Sequence, residues 1–366
     1  MESVRLKRKW IGLSLLVLFL TGAILVACSK EPAQTEPQEM PEPVKVTPEE
    51  AEEKKLVAPL TGLPVQVPIQ RRVIGVMIDN QAKARPQSGL AQADVVYEIL
   101  AEGDITRYLA LFHSQIPEVI GPVRSLRPYY LEIARGYDAI IVHAGGSPAA
   151  KEEVDRTGYP SLDGTRSGGP YFYRTDHRKA PHNLYTGRDK LLEGEAKFGY
   201  DQGYSLPRLL FLGEGETVAG EGAVQIEVDY LNGYRVSYEY DEEKGTYTRY
   251  VKGTVHSDEQ TGEPLTFSNV LVIEADHHIL DQAGRRSVDL ASGGKGYLFQ
   301  QGKVQEVSWQ FVDGLIRPYV DGREVGLVPG KTWVNIIPDN PGLKEKVTFS
   351  APQAAHEPPS SQEPSA

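Results

Sequence analysis

Residues Ile120–Ser147 read IGPVRSLRPYYLEIARGYDAIIVHAGGS, which parses as a loop, a helix, a strand and the start of a second helix. Arg124 and Arg127 precede Pro128, a residue suited to a first helical turn because its missing N–H has no intrahelical partner there anyway. About two turns of helix run to Arg135, and YDAIIVH then reads as a buried strand. His143 ends that strand. Ala144, Gly145 and Gly146 lead to Ser147, an N-cap for the helical run PAAKEEVDR. In an open α/β sheet, ligands collect beyond the carboxyl ends of strands, beside helix N-termini whose N–H groups favour anions. The turn at Gly145, Gly146 and Ser147, with Arg124 and Arg127 just upstream, therefore has the ingredients of a site.

Working outward, Val73–Ile78 is apolar on both faces and ends in Asp79 and Asn80, the pattern of a strand inside a covered sheet. Val95–Leu100 and Arg107–Phe112 supply two more strands, and Leu191–Phe198 a helix. Gly158–His182 is aperiodic and too long for an idle loop, so it is expected to carry binding residues or a lid. Residues 213–222, GEGETVAGEG, hold little to bury. Beyond them Val224–Tyr230, Tyr234–Tyr240 and Thr246–Lys252 alternate, with a turn at Asp241–Gly245. Asn269–Glu274, Gly296–Gln300, Val304–Phe311 and Thr332–Ile337 are further strands. The fold expected is α+β to α/β: an N-terminal α/β domain with a mostly parallel or mixed sheet, residues 56–212, then a flexible junction, 213–222, and a β-rich C-terminal domain, 223–350.

The ends of the chain read differently. Arg5, Lys7, Arg8 and Lys9 precede an apolar run, Ile11–Val26, that closes on Leu25-Val26-Ala27-Cys28. This resembles a lipobox, so residues 1–27 are expected to be a lipoprotein signal peptide and Cys28, the only cysteine in the chain, the lipidated residue. The alternatives are an uncleaved anchor or an ordinary signal peptide, and either also puts the folded part outside the cytoplasm. Residues 28–55 form an acidic Pro/Glu-rich tether, and 351–366 a disordered tail. The chain carries a net charge of −11, and removal of the basic leader takes it to −14, which argues against a nucleic-acid partner.

The runs IGVMIDNQAKARPQSGLAQADVVYEILAEGDITRYLALF, IGPVRSLRPYY, YDAIIVHAGGSP and KAPHNLYT resemble the YerB family of Gram-positive lipoproteins, which is defined by a domain of unknown function. Tyr234–Pro338, with GKGYLFQQGKV and LVPGKTW, is similar to that family's separate C-terminal domain. The resemblance implies a secreted, lipid-anchored envelope protein of two domains and brings no established reaction.

Two constellations remain for chemistry. Arg85, Arg107, Arg124, Arg127, Arg174 and Arg178 sit mostly on loops and strand ends, where guanidinium forks suit phosphate or carboxylate; alternatively they pair with Glu98, Glu102, Asp94 and Asp104. Asp79, His143, His177 and His182, with Asp176, could perform acid–base work or only form ordinary hydrogen bonds. Their spacing matches no metal motif, so no metal and no cofactor is expected. Candidate catalytic residues are Asp79, His143 and His182; candidate ligand contacts are Arg124, Arg127, Gly145, Gly146, Ser147, Arg178 and Asn183. Tyr238, Tyr240, Tyr247 and Tyr250 could stack on sugars, though cross-strand pairing explains them equally. Arg249 reads as a surface residue of the β domain, and His277 and His278 as surface residues too.

These readings converge on a lipid-anchored protein at the extracytoplasmic face of the cell membrane, binding an anionic cell-wall or lipid-linked glycan. A hydrolase or transferase acting on such a polymer, or an interaction scaffold for another envelope protein, are the alternatives. Cys28→Ala is expected to leave an uncleaved precursor or release the protein into the medium, because anchoring needs its acyl chains. Fractionation with mass spectrometry checks this; a wild-type chain that is freely soluble with unmodified Cys28 contradicts it.

Overall fold

The structure, a computed structural model, describes residues 56–352 apart from Ser167 and Asn232. The expected signal segment, Cys28, the tether to residue 55 and the tail from residue 353 lie outside the described residues. Strands β1 (Ile74–Asp79), β2 (Val95–Glu102) and β3 (Ile105–Phe112), helix α1 (Pro128–Gly136), strand β4 (Ile140–His143), helix α2 (Pro148–Thr157), strand β5 (Ser161–Asp163) and helix α3 (Arg188–Phe198) make up the N-terminal half. Parallel pairs β1–β4 and β4–β5 meet antiparallel pairs β1–β3 and β3–β2, so the sheet is mixed.

That sheet continues past β2. Thr332–Pro338 lies parallel to β2 on one side and to Asn269–Ala275 on the other. Antiparallel strands Gly294–Gln300, Lys303–Val312 and Leu315–Val320 follow, in a sheet of twelve described strands. The halves on either side of 213–222 therefore share one sheet. The junction itself is tied down: Val218 N donates to Gln301, Lys303 donates to Val218 O, and Glu221–Gly222 pairs with Lys303–Val304. A second sheet of six strands contains the meander Gln225–Leu231, Tyr234–Asp241 and Thr246–Val251, with Val347–Ser350 at its edge. Among the described residues Pro207–Leu212 forms a single bridge, Phe211 with Leu327.

Strand alternation sorts the core into two layers. Val76, Ile78, Val96 and Leu100 face the six-stranded sheet and pack with Val228, Val236, Phe267 and Trp333. Met77, Val95, Tyr97 and Ile99 face the other way, where α1 covers them with Tyr130, Ile133 and Ala134. The end of α1 touches the C-terminal half so closely that a Cβ on Gly136 would stand 2.0 Å from the Gly314 carbonyl oxygen.

A charged pair lies between the two sheets. Glu98, in the middle of β2, and Arg249, on Thr246–Val251, are both fully buried, with Arg249 Nη2 2.7 Å from Glu98 Oε2. The structure thus corrects the surface reading of Arg249, whose side chain points into the core in phase with Tyr247 and Val251. Glu98 Oε1 accepts from Thr106 Oγ1 and Tyr234 OH, each at 2.8 Å, and from Asn80 Nδ2 at 3.3 Å. Arg249 lies 4.3 Å over the Trp333 ring and donates to His256 Nδ1. Burial, then Arg249 and Arg85, push His256 well below its ordinary value, so it stays neutral and can accept that bond while Nε2 donates to Gln87 at 2.7 Å.

Removing one partner of such a pair leaves an uncompensated buried charge. Arg249→Leu is therefore expected to cost about 3–5 kcal/mol in urea denaturation, whereas Arg235→Ala, which breaks an exposed pair with Glu227, should cost less than about 1 kcal/mol. Equal small losses would show that the buried pair carries no such constraint.

Candidate functional site

β1 and β4 are parallel neighbours, so Asp79 and His143 do share the carboxyl edge of the sheet. Their side chains part there. Asp79 Oδ2 accepts from His182 Nδ1 at 2.7 Å and lies 3.3 Å from Arg124 Nε, and its Oδ1 accepts from Gln81 N at 3.0 Å. His143 instead bonds Gly145 O at 2.7 Å and Ser161 Oγ at 2.8 Å and lines a different cleft, of about 260 Å³, with Lys151, Asp163 and Arg166. Burial holds His143 below its ordinary value. The expected convergence of Asp79, His143 and His182 is thus reduced to Asp79 with His182.

The glycine turn is also occupied from within. Gly145 N donates to Asp163 Oδ1 at 2.8 Å, and Ser147 N to Leu126 O at 3.1 Å. Gly146 lies against Leu126 in a parallel bridge, and Ser147 Oγ caps α2 by accepting from Ala150 N. The Asp163 carboxylate takes the Gly145 N–H and Leu126 O the Ser147 N–H, so two of the N–H groups expected to meet an anion at Gly145, Gly146 and Ser147 are used within the chain. Arg127 is likewise committed: it pairs with Glu102, as Arg107 does, and donates to Leu126 O. For these two arginines the alternative of pairing with carboxylates holds.

Arg178 and Asn183 act as loop ties. Arg178 donates to Lys83 O, Pro86 O and Glu259 Oε1 at 2.9, 2.6 and 2.7 Å, fastening the Gly158–His182 segment to both halves. Asn183 accepts from Arg174 at 2.6 Å and donates to Thr175 O. These contacts bring His182 over the end of β1. Arg124 makes the Asp79 pair and, among the described residues, no side-chain hydrogen bond.

A cleft of about 330 Å³ opens beside His182 and is lined by Asn80, Lys83, Arg85, Asp104, Thr106 and Tyr234. Lys83 is exposed, and the Arg85 guanidinium stands 5.5 Å from the Tyr234 ring. With Nδ1 donating to Asp79, Nε2 is the imidazole nitrogen without a hydrogen bond to another described residue. The cleft therefore joins two cations, an oriented imidazole, an amide and hydroxyls, drawn from both halves. Sequence reading singled out Arg85 and His182 but missed Lys83, Thr106 and Tyr234. Lys83 had a signal, lying with Arg85 in the loop that follows the Asp79-Asn80 strand end. Tyr234 had none, because it comes from the other half.

These features define a protein of two family domains built around one shared sheet. A family model described as "Protein of unknown function (DUF3048) N-terminal domain" matches residues 60–201, and the corresponding C-terminal domain matches 226–334. The chain belongs to the YerB-like family. It is 46% identical over 290 residues to "Putative lipoprotein YerB" of Bacillus subtilis strain 168, covering 78% of this chain and 87% of that one. The crystal structure of YerB protein from Bacillus subtilis is similar with a TM-score of 0.74 at 43% identity, covering 81% of this chain and 100% of that one.

Because Arg178 fastens three backbone or side-chain acceptors, Arg178→Ala is expected to loosen the loop that presents His182. Hydrogen exchange of residues 164–182 should quicken while that of β1–β3 is unchanged. Unaltered exchange in the loop would mean that Arg178 does not hold it.

Proposed function

We propose that this chain is a lipid-anchored envelope protein of the extracytoplasmic face, anchored through Cys28, whose cleft between the halves holds the anionic group of a cell-wall or lipid-linked glycan. The relative's name supports the anchor, as does the Leu25–Cys28 ending. The observation that carries the ligand is the placement of Lys83 and Arg85 beside His182 in one cleft, within the range of small-ligand sites. Asp104 also lines this cleft. A carboxylate there accepts from hydroxyls and repels a bare polyanion, which favours a sugar bearing one phosphate or one uronate group.

A second reading, hydrolysis or transfer at the same cleft, draws on the 2.7 Å contact of Asp79 with His182 Nδ1. A carboxylate that orients an imidazole leaves Nε2 free to act as a general base. Among the described residues no group of three or more His, Cys, Asp or Glu is arranged to hold a metal ion, and no helix is long and apolar enough to cross a membrane.

The test is a titration of the full chain in detergent micelles with glucose 1-phosphate and with monomeric glucuronic acid. Each charge-assisted contact contributes roughly 1.5–3 kcal/mol, so Arg85→Ala and Lys83→Ala should each weaken binding by about ten-fold or more. Arg85→Lys should recover only part of this, since lysine lacks the fork. Arg156→Ala, whose side chain is 66% exposed on α2, should bind as wild type does. Equal affinities for all of these chains would remove the anion site; turnover lost in His182→Gln with binding kept would establish the second reading.

A further inference from the structure

A small hairpin, His277–Ile279 with Arg286–Val288, stands against the β2–β3 turn, whose Asp104 lines the cleft. It grips the β2–β3 turn: Gly103 N donates to Gly284 O at 3.1 Å, and Arg286 donates to Gly103 O from Nη2 at 2.9 Å and from Nε at 3.3 Å. Arg285 bridges Glu102 in antiparallel fashion. Leu280 N donates to Arg285 O at 2.7 Å and closes the tip. Two such strand spacings put Leu280 roughly 10 Å from the end of β2.

The tip is apolar and uncovered. Ile279 is 64% exposed and Leu280 63%, adjacent in sequence. Beside them Arg285 pairs with Asp281 at 2.5 Å, and His278 Nε2 donates to Asp276 at 2.8 Å. A bilayer is within reach: 27 residues separate Cys28 from Leu56, a span of at most roughly 90–100 Å.

We propose that Ile279 and Leu280 enter the bilayer surface, so that the adjoining cleft takes its anionic group from a ligand carried by the membrane, a lipid-linked glycosyl phosphate. This rests on the anion-binding reading of the cleft and names the source of the anion. The arrangement is economical, because the hairpin that meets the membrane also holds the turn that forms a wall of the cleft.

The experiment uses the full lipid-anchored chain in phosphatidylcholine vesicles, with and without bromine-labelled acyl chains. Leu280→Trp should add blue-shifted emission that the brominated lipid quenches. Val255→Trp, at a position 41% exposed in the other sheet, should add unquenched emission. Solvent-like, unquenched emission from Leu280→Trp overturns the inference. In parallel, the Ile279→Ser, Leu280→Ser double variant is titrated with polyprenyl-linked glucose phosphate in vesicles and with glucose 1-phosphate in solution. The expected result is several-fold weaker binding of the membrane-borne probe and unchanged binding of the soluble one. Unchanged binding of both overturns the inference and leaves the cleft reading intact, whereas loss of both assigns the tip to structure and also overturns it. If neither probe binds the wild-type chain, the cleft reading falls and this inference with it.

Discussion

Glu98 and Arg249 meet at 2.7 Å in the core, both fully buried, and come from opposite halves of the chain. Two charges withdrawn from water are tolerable when they face each other and most of their remaining hydrogen-bonding capacity is satisfied; in this pair Arg249 Nε alone has no partner among the described residues. That requirement reaches outward. Thr106, Tyr234 and Asn80 must point at one carboxylate oxygen and Arg249 at the other. His256 must stay neutral between Arg249 and Gln87, and Gln87 in turn donates to Asp79 O at the end of β1. A sliding of either sheet by one residue would break the set, so the pair fixes how the six-stranded sheet lies on the twelve-stranded one.

The cleft is the outer side of this joint. Asn80, Thr106 and Tyr234 each turn a polar group inward to the network and line the cleft as well. Lys83, Arg85 and His182 sit on loops that the same region secures, through the Arg178 contacts to Lys83 O, Pro86 O and Glu259. Site and stability are thus written into shared side chains. A substitution at Tyr234 or Asn80 would change both the packing of the halves and the shape of the cleft.

Much of the fold was legible because local pattern settles it. VIGVMI and YDAIIVH are apolar on both faces, and the C-terminal strands alternate cleanly. Leu315–Val320 escaped notice because Pro318 interrupts its run and withholds a backbone donor. Nothing local says that Thr332–Pro338 lies beside β2, since parallel pairing over such a separation leaves no trace in either strand's own period. At the site, strand ends were read correctly but side-chain directions were not: His143 turns to Ser161, and the Gly145 N–H is taken by Asp163. The signal that could have found the joint is the glutamate inside VVYEILAE together with an arginine at an inward position of TYTRYV. Charges in phase with core residues ask for each other.

The central claim is that the two family halves form one cooperative unit through the shared sheet and the Glu98–Arg249 pair. Pulsed hydrogen exchange with mass spectrometry along a urea series tests it most directly, because peptides from β1–β3 and from Gly294–Val320 report on the halves separately. The account predicts that both sets lose protection in a single concerted step at the same urea concentration. A range in which one half exchanges fully while the other remains protected would contradict it.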